Sequence, residues 1–373
     1  MQRALCLASF LLAASVMPRA AEADVRVASY EKPDVTIDLY GWTQPRFTYE
    51  LTVDSPGFTL PQTRLGVIGG LGKWGRVQTE INVGTIDLTL NPSGPELLDA
   101  YGVFTPYRSR AVGVDVTLGR FRVPFSRQNL IQPMGLQLPD AVWFAEHGEM
   151  AGRQLGGMLG IDFFDRKVRL MAGVFAGADR DHENWFLYAG RLEIEPLGPA
   201  PRFEGDVRAV ELRRRPVLSI GASAVTSPRT TKESFTINAR VEADNVWLGA
   251  DAGVWYAGAS LYGEFYFRSR QYGEPFPSLL HLAGWNVQAG YFPPLPFLRE
   301  HVEIAARVES FSRYEEFPTD TPPIRDTTWF AWSAGLNFFV DRGHALKMQV
   351  SYKGDFHGDD VADRLTLQAT AGF

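Results

Sequence analysis

The chain has 373 residues, a formal net charge of −6, one cysteine, and 13% aromatic within 45% hydrophobic residues. That balance supplies no basic face for nucleic acid and too little apolar content for a helical membrane protein. The charge-free stretch 275–298 carries five prolines and two glycines, which excludes a spanning helix there.

The first 23 residues read as a secretory leader: Arg3, an apolar run over 4–16, then Ala21-Glu22-Ala23 as a small-residue cleavage site. Losing Arg3, Arg19 and Glu22 with it takes the charge from −6 to −7. Cys6 lies inside this leader without a lipobox, so a mature chain starting near Asp24 holds no thiol, disulfide or cysteine-ligated metal. No cofactor or metal site is expected.

From there the dominant signal is alternation with a period of two, the mark of strands with one apolar and one polar face. In the first segment Ile37, Leu39, Gly41, Phe47, Tyr49 and Leu51 oppose Asp38, Tyr40, Gln44, Arg46, Thr48 and Glu50. The pattern predicts sixteen strands, at about 36–51, 61–70, 74–83, 98–106, 112–121, 153–163, 166–177, 185–195, 216–226, 246–255, 258–269, 282–292, 299–311, 327–340, 343–353 and 363–373. Segment 234–243 is assigned to a loop, because single-chain bacterial barrels close with an even number of strands. Connections after odd strands are long (52–60, 84–97, 122–152, 178–184, 227–245, 270–281, 312–326, 354–362); those after even strands are short, except 196–215. Such asymmetry, with a last strand ending on Phe373, is what an outer-membrane β-barrel requires: short turns beside both termini, long loops opposite. A secreted β-sandwich alternates too, but its free face would be rich in Thr, Ser and Lys, whereas here one face is continuously aliphatic and aromatic. Most of the nine tryptophans (Trp42, Trp74, Trp143, Trp185, Trp247, Trp255, Trp285, Trp329, Trp332) fall near predicted strand ends, as interfacial girdles would.

Between the fifth and sixth strands the chain reads Gly119-Arg120-Phe121-Arg122-Val123-Pro124-Phe125-Ser126-Arg127, then some thirty residues later Gly152-Arg153-Gln154-Leu155-Gly156. Compact folds rarely keep so long a connection without a use for it. These segments resemble the Gly-x-Phe-Lys-Val-Pro-Phe-Ser and Gly-Arg-(Asp)-hydrophobic-Gly patterns of the phosphate-selective porin O and P family. With Tyr40-Gly41, Arg64-Leu65-Gly66-Val67 and the terminal Phe373, the likeness covers nearly the whole mature chain. It implies a water-filled barrel of sixteen strands, commonly a trimer, whose third external loop folds inward and narrows the pore. Arg122, at the family's Lys position, and Arg127 would then sit on that loop, and Arg153 at its return. The return has Gln154 where the family has an acid, and the loop also carries Asp140, Glu146 and Glu149.

Arginine forks match phosphate oxygens, and rings of Arg or Lys are one way pores select anions. Parity turns Arg46, Arg64, Arg76, Arg169, Arg191, Arg268, Arg307, Lys347, Lys353 and Arg364 inward. It also turns Asp38, Glu50, Glu80, Glu193, Glu195, Asp251, Glu264, Glu303 and Glu309 inward: ten cations facing nine anions, which can equally pair across strands. The expected anion-binding set is Arg122, Arg127, Arg153, Arg64, Arg46 and Arg76. The expected protein is a porin of the bacterial outer membrane, in contact with lipid and lipopolysaccharide, passing small solutes with a preference for anions such as phosphate. The alternatives are a general-diffusion porin and a barrel enzyme. Against the enzyme, no Gly-x-Ser-x-Gly elbow occurs, and only His147, His182, His281, His301, His344 and His357 are available as bases. The expectation is therefore no enzyme. The acidic stretch around His357, with Asp355, Asp359 and Asp360, reads as a solvated loop rather than a cation site.

Overall fold

The computed structural model describes residues 25–30, 34–86, 92–146, 152–177, 186–201, 204–205, 216–234, 239–272, 278–316, 327–340, 345–358 and 360–373. The leader with its cleavage site, Trp185, His147, His182, His344, Glu149 and Asp359 lie outside these residues.

Alternation becomes strand nearly everywhere. The strands are β1 (Val25–Tyr30), β2 (Val35–Thr43), β3 (Arg46–Glu50), β4 (Ser55–Thr59), β5 (Thr63–Leu71), β6 (Gly75–Asn82), β7 (Thr85–Ile86), β8 (Pro92–Ser93), β9 (Glu96–Arg108) and β10 (Val112–Arg122). They continue as β11 (Arg153–Phe163), β12 (Val168–Ala176), β13 (Phe186–Ile194), β14 (Val217–Ser234), β15 (Ala239–Tyr256), β16 (Ala259–Tyr272), β17 (Ser278–Tyr291), β18 (Val302–Glu316), β19 (Thr327–Phe339), β20 (Leu346–His357) and β21 (Asp360–Gly372). β2 and β3 form one crossing, interrupted at Pro45, which has no N–H to give a ladder; β4 and β5 likewise form one. Set apart from these are β1 and the small β7–β8 pair, and the wall is a closed antiparallel barrel of sixteen strands.

Closure is direct. β21 pairs with β3 from Arg364↔Glu50 to Gln368↔Arg46, then with β2 at Ala371↔Thr43 and Gly372↔Trp42. The terminal Phe373 continues the seam, its N–H donating to Gly41 O (2.9 Å) and its carbonyl accepting from Gly41 N (3.2 Å). Beyond that point β1 takes over the β2 edge, from Val25↔Leu39 to Tyr30↔Val35. Lipid offers backbone groups no partner, so an open seam would leave a row of them unmet.

Three expected long connections are largely strand. Ser55–Thr59 pairs with β3, the 227–245 segment extends the β14–β15 hairpin through Ser234↔Ala239, and β20 and β21 meet at His357↔Asp360. Of the 234–243 segment, Ser234 and residues 239–243 are thus neither a loop nor a seventeenth strand, but the far part of that hairpin, and residues 235–238 lie outside the described residues.

Outward faces carry Leu65, Val67, Leu159, Leu248, Phe265, Ile304 and Val350, all substantially exposed; inward faces carry buried Arg64, Glu80, Arg191, Asp251, Glu264, Glu303, Arg307 and Lys347. Tryptophan departs from the girdle expectation. Trp74, Trp285 and Trp332 are exposed on the outside, but Trp42, Trp247 and Trp255 are buried within, and Trp143 and Trp329 pack against the interior apolar cluster.

Candidate functional site: a segment seated against the inner wall

The segment after β10 makes most of the unusual contacts. It leaves the wall past Gly119, whose φ of +128° and close approach to the β9 backbone, 2.2 Å from a would-be Cβ to Ala100 O, admit only glycine. Its base is closed by the Val123 N–H donating to Gly152 O (3.1 Å). Ser126, at φ +61°, caps the short α1 (Arg127–Leu130): its Oγ accepts from Asn129 N (3.1 Å) while donating to Glu264 Oε2 (3.0 Å). Glu264 Oε1 also accepts from Gln128 N (2.7 Å). A second turn, α2 (Trp143–Glu146), ends the described part.

Both ends of this segment are apolar. Val123, Phe125, Val142 and Phe144 are almost fully buried against Phe175, Leu187, Val225, Trp247, Tyr266, Leu280, Leu282 and Phe311 of the inner wall. Phe144 stacks on Tyr266 (4.9 Å between centroids, 9°), and Trp143 on Phe311 (3.8 Å). The expected wet lumen is, over this region, an apolar core.

The middle of the segment is held by wall donors instead. Lys347 Nζ donates to the carbonyls of Met134 and Leu136, each at 2.8 Å; Gln349 Nε2 donates to Leu136 O and Gln137 O; Asn337 Nδ2 donates to Gln137 O. Arg307 reaches the carbonyls of Asp140 and Ala141, both at 3.0 Å. Arg46 and Arg364 each place a guanidinium N–H on the Asp140 carboxylate at 2.8 Å, one per oxygen. Gln137 Nε2 donates to Glu303 Oε1 and Ser260 Oγ. Lys347, Glu303 and Ser260 are each the second residue of a strand entering from the side of the chain termini, so the tip spans most of the barrel's depth.

The six arginines expected to bind anions are placed as follows. Arg64 pairs with Glu80 (2.8 Å) and lies over the Trp42 ring. Arg153 grips Asp99 with two donors (2.8 and 3.1 Å) and stands 3.6 Å from Glu80. Arg122 donates to the carbonyls of Asn129 and Ile131, tying α1 down. Arg127 donates to Pro201 O and covers the Trp255 ring; its buried Nε has no hydrogen-bond partner among the described residues, and burial pushes its guanidinium below its usual pKa. Arg46 holds Asp140, as above, and Arg76 is exposed near the terminal end of β6. Arg64 and Arg153 therefore gather round Glu80 and Asp99, Arg122, Arg127 and Arg46 serve the segment, and Arg76 stands apart. Elsewhere Arg191 with Asp251 (2.6 and 3.0 Å) confirms cross-strand pairing.

Several residues escaped the sequence reading. Asp99 sits where a register shift in the β6–β9 ladder moves parity by one. Glu204 belongs to the unusually long 196–215 connection, the single long one on the terminal side to be predicted; a carboxylate in a Pro-rich stretch gives no sign that it turns inward. The His357 stretch is a tight turn, with the imidazole stacked on Trp329 (4.6 Å, 9°). Among the described residues no three His, Cys, Asp or Glu side chains gather to hold a metal ion.

No protein-family model and no curated protein matches the chain. Solved structures do. A loop L8 deletion mutant of OmpT, an outer membrane protein of Vibrio cholerae, is 10% identical over 91% of this chain and 99% of its own, with a TM-score of 0.62. OmpF of Salmonella typhi, in complex with daunomycin, is 13% identical over 94% and 100%, at 0.60. An anion-selective porin from Comamonas acidovorans is 11% identical over 91% and 100%, at 0.58. The fold is that of outer-membrane porins; the narrower likeness to the phosphate-selective family is not among these findings. The expectation of no enzyme, drawn from the missing nucleophile elbow and the few histidines, is corrected. The barrel shares its fold with OmpT as well as with porins, and a fold of this kind does not itself exclude catalysis.

Proposed function

We propose that the chain is a porin of the bacterial outer membrane, carrying small hydrophilic solutes by passive diffusion, with residues 1–23 removed as a leader. One observation carries this reading: a closed barrel, aliphatic outside and charged inside, with the 123–146 segment seated against its inner wall; in this reading that segment is the inward-folded third external loop. The loop's polar contacts run to β3 and to the β14–β21 side, which supports a passage along the β5–β12 wall, where Arg64, Glu80, Asp99 and Arg153 form one charged group and Asp115, Asp162 and Arg169 another.

A preference for anions such as phosphate is the finer reading, placed at Arg122, Arg127, Arg153, Arg64, Arg46 and Arg76. Its support is the unmet Nε of Arg127 and the gathering of Arg64 and Arg153 around Glu80. Against it, most guanidinium donors there already hold carboxylates or carbonyls, so an incoming anion must compete for them. A homotrimer in contact with lipopolysaccharide completes the proposal; OmpT of Vibrio cholerae has been solved in a trimer form.

The test is the zero-current potential of the purified protein in a planar bilayer under a KCl gradient, with and without phosphate. An anion-selective potential, with chloride current blocked by phosphate and the block relieved in Arg127→Ala, supports the finer reading. A weakly cation-selective potential indifferent to phosphate leaves a general porin. Absence of channels overturns both.

A further inference from the structure

The loop tip is held from two directions. Besides the wall donors, it meets residues 196–201 and 204–205, which follow β13 at the opposite end of the barrel. Ala200 packs on the cluster of Val217, Trp255 and Tyr262, and Pro201 O accepts from Arg127. Next comes Glu204, which is buried. Its N–H donates to Gly135 O (3.0 Å), and its Oε2 accepts from both Gln137 N (2.9 Å) and Gln288 Nε2 (2.8 Å). Gly205 follows at close quarters: a Cβ there would lie 2.5 Å from Glu303 Oε2, so a larger residue must push aside the carboxylate that Gln137 and Asn337 also use.

We infer that Glu204 is a positioning residue for the pore: it clasps the tip of the external loop from the opposite side of the membrane and so sets the cross-section open to solutes. The inference rests on the porin reading. Its physical basis is that a buried backbone N–H left unmet is costly, so the tip stays where its donors and acceptors are satisfied. Wall residues supply Met134, Leu136 and the Gln137 carbonyl. For the Gln137 N–H and Gly135 carbonyl, Glu204 is the partner in the structure. The clasp needs an acceptor oxygen rather than a charge, because two neutral amides are what its Oε2 receives.

Three variants of the full-length protein separate this from a general loss of structure: Glu204→Ala, Glu204→Gln and Gly205→Val, each checked for native barrel formation by heat-modifiable gel mobility. Single-channel conductance and the size limit for neutral sugars in liposome swelling are the readouts. The alanine and valine variants should raise both, with noisier open levels, and the glutamine variant, which keeps an acceptor oxygen, should return them to wild type. Wild-type channels that Glu204→Ala and Gly205→Val leave unchanged overturn the clasp alone. A glutamine variant that behaves like alanine also overturns it, since charge would then be the agent. A wild-type protein with no conductance removes the porin reading itself.

Discussion

The two ends of the inward segment and its middle are fixed by opposite means. At the ends, Val123, Phe125, Val142 and Phe144 fill an apolar core with the wall; in the middle, Lys347, Gln349, Asn337, Arg307 and Arg46 hold main-chain carbonyls. Apolar burial is strong but without direction, while hydrogen bonds are weaker in net terms and specify position. The inward cations divide in the same way: Lys347, Arg307 and Arg46 hold loop carbonyls, whereas Arg64, Arg153 and Arg191 hold carboxylates.

The sharpest way to break the comparison is at the apolar end. Phe144→Ala removes a side chain stacked on Tyr266 and should cost about 3–5 kcal/mol of loop attachment. The wall ladders do not depend on it, so far-ultraviolet circular dichroism should remain that of a barrel while the loop becomes open to protease. A loop as resistant as wild type would show that the polar middle alone holds it.

How much of this was legible beforehand follows the same division. Lipid imposes alternation along whole strands, so Leu65, Val67, Ile304 and Val350 announced the outer face and Glu303 and Arg307 the inner. What each inward side chain touches depends on residues far apart in sequence: Lys347 meets Met134, and Arg364 meets Asp140. Parity says that a group faces inward, not whether it meets water, a strand neighbour or a loop carbonyl. The apolar inner residues Phe175, Leu187 and Trp247 were hidden for a related reason. In a strand apolar on both faces the alternation fades, and an inward Trp near a strand end resembles a girdle Trp.

The polar middle should respond less, and in graded fashion. Lys347→Met leaves the Met134 carbonyl without its buried donor and the Leu136 carbonyl with Gln349 alone, a loss of about 1–3 kcal/mol for the unmet group. A lower denaturant midpoint with an unchanged slope would register it; an unchanged midpoint would mean that water or Gln349 takes over. Asp140→Asn should cost less, about 1–2 kcal/mol, because Arg46 and Arg364 keep partial contact with water. Its clearer signature is selectivity. Removing the carboxylate charge between two guanidinium groups should shift the zero-current potential toward anions, and a shift toward cations would contradict the pairing.

Acid offers the gentlest version of that change. Burial alone would raise the Asp140 carboxyl, but Arg364, Arg46, Lys353 and Arg307 outweigh it and hold the group below the usual carboxylate range. The folded protein therefore binds this proton more weakly than the unfolded chain does. The stability Asp140 contributes is complete above its unfolded pKa, about 3.9, and is lost only as the pH falls through the lower folded value. Wild type and Asp140→Asn should accordingly differ in zero-current potential by a constant amount from pH 7 to pH 5 and converge only below about pH 4. Other lumen carboxylates titrate in both proteins and cancel from the difference. Convergence already complete at pH 5 would mean that the two arginines do not hold Asp140 ionised, and the hold on residues 139–141 would have to be assigned to the carbonyl bonds of Arg46 and Arg307.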